Sequence, residues 1–123
     1  MIEIQIANDQ FLPGQEIAGE VRWADLKESD RIEIRLIWYT SGKGTRDLEI
    51  VHVHPVDSVH GSGKEKFSFK AASHPYSFSG KLISIVWAVE AVVLPSGDVA
   101  TKPILIGPGG LEVVVVSEHP LDD

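Results

Sequence analysis

The sequence predicts an all-β fold, an antiparallel sandwich of about eight strands, and three observations support that prediction. Apolar and polar residues alternate with a period of two in several segments, which is typical of strands that bury one face. Turn-forming segments recur at regular intervals between these runs, as they do in sandwiches. No segment has the 3.6-residue periodicity of an amphipathic helix.

The first strands follow directly from this pattern. Residues 2–6 alternate Ile with Glu or Gln, which indicates a half-buried strand. Residues 12–15 read Leu-Pro-Gly-Gln and predict a type II turn, because Pro presets the second position and Gly supplies the positive φ of the third. A second strand is expected over 17–23, where Gly19 suggests a bulge or a close backbone approach. The charged residues 24–30 are expected to form a loop or a single helical turn.

The middle of the chain continues the alternation. Residues 31–38 place three aliphatic side chains and Trp38 on one side of a strand. Shorter strands are expected over 48–53 and 64–70. A polar loop precedes each of them, at 40–46 and at 57–63.

The C-terminal part contains the strongest strand signal. Residues 80–94 are apolar on both faces, which is expected of a strand at the centre of a sheet that is covered on both sides. Pro103 indicates that the strand which contains it lies at an edge or carries a bulge. Turns at 95–98 and 107–110 precede the last two strands, at 99–106 and 111–116.

Composition limits the functional classes. The 123 residues fit a single domain, 1–123, and the net charge of −7 argues against binding to nucleic acid or to an anionic membrane. The absence of cysteine excludes disulfides, thiolate nucleophiles and cysteine metal sites. The sequence has no apolar run of the roughly 18 residues that a membrane span needs, and its first residues lack a secretory pattern. We therefore expect a cytoplasmic domain.

Two clusters of residues stand out in the sequence. The first is Phe11, Pro13, Gly14, Glu16, Ile17, Gly19 and Val21; the second is Tyr76, Gly80, Ile83, Ile85, Trp87 and Ala91, followed by Asp98 and 103–106. Together they resemble the arrestin-like family. The resemblance favours an arrestin-like over an immunoglobulin-like sandwich, because the order and spacing of the clusters fit and the immunoglobulin cysteine pair is missing. Arrestins typically contain two sandwiches in tandem, so this chain resembles one N-terminal-type half. The resemblance implies scaffolding and protein–protein recognition without catalysis.

Candidate chemistry is sparse. His52 and His54 share one strand face at a spacing compatible with zinc or copper, and His60 or His74 could supply a third ligand. A structural or exposed role is the better interpretation of this pair, so we assign no metal site. No catalytic or cofactor-binding residues are predicted. Glu90, inside the apolar strand, is expected to face solvent or to pair with a Lys or Arg.

Partner contacts are predicted at three residues. Trp23 lies at a strand end beside a charged loop and is the aromatic best placed for a partly exposed contact, although core packing is the more common outcome. Lys43 and Arg46 make their loop locally basic and suited to an acidic segment. Open sheet edges can accept a partner strand by strand addition, or pair between copies and give a homodimer.

The function expected from these observations is a non-catalytic adaptor or scaffold module that binds protein or peptide. Two alternatives remain open. One is a small-ligand or carbohydrate-binding sandwich that uses Trp23, and the other is a metal-binding protein based on His52 and His54.

Overall fold

The computed structural model describes residues 1–42, 47–72, 75, 77–79, 83–107 and 113–114. Over these residues the chain forms ten strands arranged in two sheets, with no helix. The strands are β1 (Ile2–Ile6), β2 (Gln10–Phe11), β3 (Glu16–Leu26), β4 (Arg31–Gly42), β5 (Leu48–Val56), β6 (Gly61–Lys70), β7 (Phe78–Ser79), β8 (Ile83–Leu94), β9 (Val99–Ile106) and β10 (Val113–Val114). Seven of them are five residues or longer and three are two residues long. The all-β sandwich predicted from the sequence is confirmed.

The small sheet contains three antiparallel strands in the order β1-β3-β6. β3 is its centre and pairs with β1 from Ile2↔Trp23 to Ile6↔Gly19. Its other edge pairs with β6 from Glu16↔Lys70 to Leu26↔Gly61.

The large sheet is built on the pairing of β4 with β8, which runs from Arg31↔Leu94 to Gly42↔Ile83. β5 pairs with the other side of β4 and forms one edge. The other side of β8 pairs with β7 and then with β9. The two-residue strands β2 and β10 extend β9 and β7 in parallel. β8 is therefore a central strand, as its apolar sequence predicts.

The core fills the space between the two sheets. β4 contributes Ile32, Ile34 and Leu36, all with no exposed surface. Trp87 of β8 is also fully buried, and its indole Nε1 donates a hydrogen bond to the carbonyl oxygen of Pro75 at 2.7 Å. Trp38 packs against this core and is half-buried.

Two glycines confirm the local geometry that the sequence predicts. The amide of Gln15 donates to the carbonyl oxygen of Leu12 at 3.0 Å, and Gly14 has a φ of 83°, as the third position of a type II turn requires. At Gly19 the backbone approaches its neighbours closely. A Cβ there would lie 2.5 Å from the Gln5 carbonyl oxygen and 2.7 Å from Cζ of Phe67.

The structure also corrects part of the prediction. β3 continues to Leu26, through residues that were expected to form a loop, because Leu26 still pairs with Gly61 after an irregularity in the register. Of the strand expected over 111–116, only Val113–Val114 lies in the described residues, and residues 80–82 of the long strand lie outside them.

We expect Gly19→Ala to destabilise the fold by about 3 kcal/mol, because the added Cβ would overlap backbone and an aromatic ring in the core. The matched control is Gly61→Ala, where nothing lies within 4 Å but φ is 83°. That variant should lose only about 1 kcal/mol, from left-handed strain. Urea unfolding followed by circular dichroism measures both losses, and equal values would contradict the close approach at Gly19.

Candidate interaction surface

The outward side of the large sheet carries apolar side chains, which are buried at its centre and exposed on β5 and at Val99. Trp38 and Trp87 are opposed and point into the core, so their neighbours Ile37 and Ala88, which also pair, point outward. Ile37 is only 2% exposed and yet lies outside the core cluster. We call this surface the apolar face; it consists of Ile37, Leu48, Ile50, Val53, Val86, Ala88, Val92 and Val99.

Most of the exposed large apolar side chains belong to this surface. Among the described residues six large hydrophobic side chains are exposed, and four of them are in the apolar face. Leu48 is 60% exposed and Val99 52%, at opposite sides of the sheet. Scattered single hydrophobic residues are ordinary on protein surfaces, whereas the grouping of Leu48, Ile50 and Val53 on one strand is typical of an interaction site.

The outward side of the small sheet has the opposite character. Its opposed residues on β3 and β6 include Glu16 with Lys70, Glu20 with Lys66 and Arg22 with Lys64. Oε1 of Glu20 also forms an ion pair with Nη2 of Arg22, at 3.4 Å. This side is therefore a typical solvated sheet face. The contrast shows that the apolar side chains are concentrated on one face of the sandwich.

One cluster of charges interrupts the apolar face. Nε and Nη2 of Arg35 donate to Oε1 of Glu33 at 3.1 and 2.8 Å. Nη1 of Arg35 reaches Oε1 of Glu90 at the longer distance of 3.5 Å. Glu90 thus pairs with an Arg, as predicted, but most of the hydrogen-bonding capacity of its carboxylate is left to other donors.

A shallow depression lies next to Glu90. Two carboxylates line it, those of Glu90 and Asp47, together with the apolar side chains of Ile37 and Leu48. Tyr39 and Thr101 complete its wall. The depression therefore combines an apolar floor with negative charge.

Trp23 is not an exposed contact residue. Its side chain is 7% exposed and lies in the core, where the indole Nε1 donates to the carbonyl oxygen of Val59 at 2.8 Å. Gly63, opposite it on β6, leaves room for the ring, since a Cβ there would lie 2.7 Å from Cζ2. This burial contradicts the partly exposed contact that was considered for Trp23 and agrees with core packing, the more common outcome. The other two residues predicted to contact a partner, Lys43 and Arg46, lie outside the described residues.

His52 and His54 do share one side of β5, the side that faces the small sheet. The ring of His52 stacks on Phe69 with centroids 6.0 Å apart and an interplanar angle of 7°. Nε2 of His54 lies 3.0 Å from Oε2 of Glu65 on β6. Both histidines therefore connect the adjacent edges of the two sheets. His60 is exposed, and His74 lies outside the described residues.

Two further properties concern only the described part of the chain. It contains no group of three or more His, Asp or Glu side chains placed to hold a metal ion. Within the same residues, no helix has the length and apolar character required to cross a membrane. The sequence pattern could not have located the apolar face, because it depends on which side of the large sheet the small sheet covers.

The sheets and their enclosed core define a two-layer β-sandwich. The chain is similar in structure to Spo0M, the sporulation control protein of Bacillus subtilis, with a TM-score of 0.59 and 20% identity. That similarity covers 87% of this chain and 49% of the Spo0M chain, so this chain spans about half of it. A β-glucosidase from Listeria innocua, in complex with gluconolactone, has a TM-score of 0.48 and 14% identity over 94% of this chain and 16% of its own. The Spo0M similarity shows a shared fold, and the second similarity is too distant to inform either fold or function. No family model matches the sequence. No curated protein matches it either.

We expect Trp23→Phe to lower the free energy of unfolding by about 2 kcal/mol, because the buried carbonyl of Val59 loses its donor. Val99→Ala is the matched control on an exposed site and should change stability by under ~0.5 kcal/mol. Chemical unfolding of the two variants tests this. A Trp23→Phe protein as stable as the wild type would argue that the indole hydrogen bond has no structural role.

Proposed function

We propose that this chain is a non-catalytic, arrestin-like adaptor or scaffold domain that binds a protein partner through the apolar face. The observation that carries the proposal is the asymmetry between the two outer faces, one apolar and one charged. Covering exposed apolar surface is the main source of association energy for proteins, at roughly 25 cal/mol for each Å² removed from water. Four of the six exposed large apolar side chains of the described residues lie in the apolar face, and a partner that covers them gains this term.

The chemistry of the face also suggests what the partner presents. Glu90 and Asp47 border the depression, while Ile37 and Leu48 supply its apolar surface. A Lys or Arg side chain can lay its aliphatic stem on apolar groups and direct its charge to a carboxylate. We therefore infer a partner with a mainly apolar contact surface and one basic side chain that enters this depression.

The charged groups at the centre of this face are ion-paired with one another, which agrees with a non-catalytic role. Arg35 is held by two carboxylates, so the cluster is an ion-paired structural element. The alternative of carbohydrate or small-ligand binding requires an exposed aromatic platform, and Trp23, the residue considered for it, is buried. The same asymmetry of the two faces therefore favours a protein partner.

The test is a photo-cross-linking amino acid placed at position 99 in cells that produce this chain. Val99 is exposed in the apolar face, and Ala18, exposed on the charged side of the small sheet, is the matched control position. We expect a defined cross-linked protein from position 99 and none from position 18. The partner peptide identified by mass spectrometry should be apolar and contain a Lys or Arg.

A second variant links that product to the surface. Val99→Lys should abolish capture of the same partner by the purified domain, because a buried, unpaired ammonium opposes association. Ala18→Lys should leave capture unchanged. Equal cross-linking from positions 99 and 18, or capture that survives Val99→Lys, would refute the assignment of this face.

A further inference from the structure

β5 is a long edge strand with little charge among the strands that the structure describes. It is nine residues long, pairs only with β4, and has Glu49 as its single Asp, Glu, Lys or Arg. The edge strand β6 carries three lysines, at positions 64, 66 and 70, and β9 contains Pro103. β1 has five residues and the remaining edge strands have two. Charge, proline, shortness and bulges hinder edge pairing. β5 contains Pro55 near its end and one bulge, but it has less charge than β6 and is longer than β1.

A bulge at Val51 gives β5 an unusual order of side-chain directions. Ile50 is opposite Ile37 and points outward, whereas His52 is opposite Leu36 and points inward. Val51, the extra residue between them, packs against the core and is also directed inward. From 48 to 55 the order is therefore outer, inner, outer, inner, inner, outer, inner, outer. This order reads the same in both directions.

This order allows the strand to pair with its own copy about a two-fold axis in spite of the bulge. In an antiparallel pair, opposed residues lie on the same face of the sheet, and a two-fold axis presents the same strand in reverse. Centring the axis between Val51 and His52 matches all eight positions from 48 to 55. Moving the second strand by one or two residues in either direction places an outer residue opposite an inner one. One register is therefore selected.

We propose that β5 pairs antiparallel with β5 of a second copy of this chain, in the register that opposes Ile50 to Val53. These side chains are 44% and 48% exposed, and β-branched residues stabilise a sheet when they are directly opposed. On the inner side Glu49 opposes His54 of the other copy. No two like charges are opposed, because Glu49 is the one acidic or basic residue of β5 other than its histidines.

The dimer places both apolar faces on the same side of one continuous sheet. The dimer shares Leu48, Ile50 and Val53 with the apolar face, but it is formed by the edge of β5, whereas the partner proposed above is tested at Val99 on β9. β5 and β9 are separated by β4 and β8, so the two surfaces can be altered separately. Failure of either proposal leaves the other standing.

The experiment uses single cysteine variants, which is direct because the natural chain has no cysteine. In this register residue 50 of one copy lies beside residue 53 of the other. Two copies of the same residue are roughly 10 Å apart, beyond the reach of a disulfide. Ile50→Cys and Val53→Cys are therefore oxidised separately and as an equal mixture, with a mixture of Leu48→Cys and Val53→Cys as the control for a shifted register.

We expect a disulfide-linked dimer mainly from the mixture of the Ile50 and Val53 variants, and little from either variant alone or from the control mixture. Sedimentation of the wild type should give twice the chain mass. Val53→Lys should give a monomer, because each of the two added charges would lie opposite the apolar Ile50 of the other copy. Val99→Lys should remain a dimer. Circular dichroism establishes that each variant is folded. A monomeric wild type, or equal cross-linking in all samples, would overturn the proposal.

Discussion

The pairing of β4 with β8 is the constraint on which the rest of the structure depends. Both strands are twelve residues long and pair along their whole length, from Arg31↔Leu94 to Gly42↔Ile83. Their inner side chains form the floor of the core on which the small sheet packs. The other strands of the large sheet are attached to this pair, β5 to β4 and β7 and β9 to β8. A shift of one residue would move every inner side chain to the outer side, so this register fixes both faces at once.

The same pair explains why the outer side is apolar. A strand that is buried on both faces has an almost continuous apolar sequence, and β8 follows this rule with Ala88 and Val92 on its outer side. In the described chain only the inner side of the large sheet is covered by another sheet. Ala88 is 0% and Val92 8% exposed, so the outer side of β8 is also buried, in agreement with its composition.

The sequence was sufficient to predict the class of fold, the Leu12 turn and the central position of the long strand. These follow from local rules, because alternation, Pro-Gly pairs and two-sided apolarity are visible without partners. The position of Trp23 was not predictable in this way. Its burial depends on Val59 as a hydrogen-bond acceptor and on the space left by Gly63, two residues far from it in the sequence. The apolar face was likewise hidden, since its members come from four strands whose order is fixed only by tertiary pairing.

The bulge at Val51 connects the edge of the large sheet with its outer face. Regular alternation from His54 and His52 would place Ile50 and Leu48 on the inner side, against the core. The extra residue sends Val51 inward instead and turns Ile50 and Leu48 to solvent. Leaving a large aliphatic side chain exposed forgoes roughly 1.5–3 kcal/mol of burial energy, so this arrangement gains little for the isolated domain. It becomes favourable when a second protein surface covers these side chains, and bulges at sheet edges are known to redirect side chains in this way.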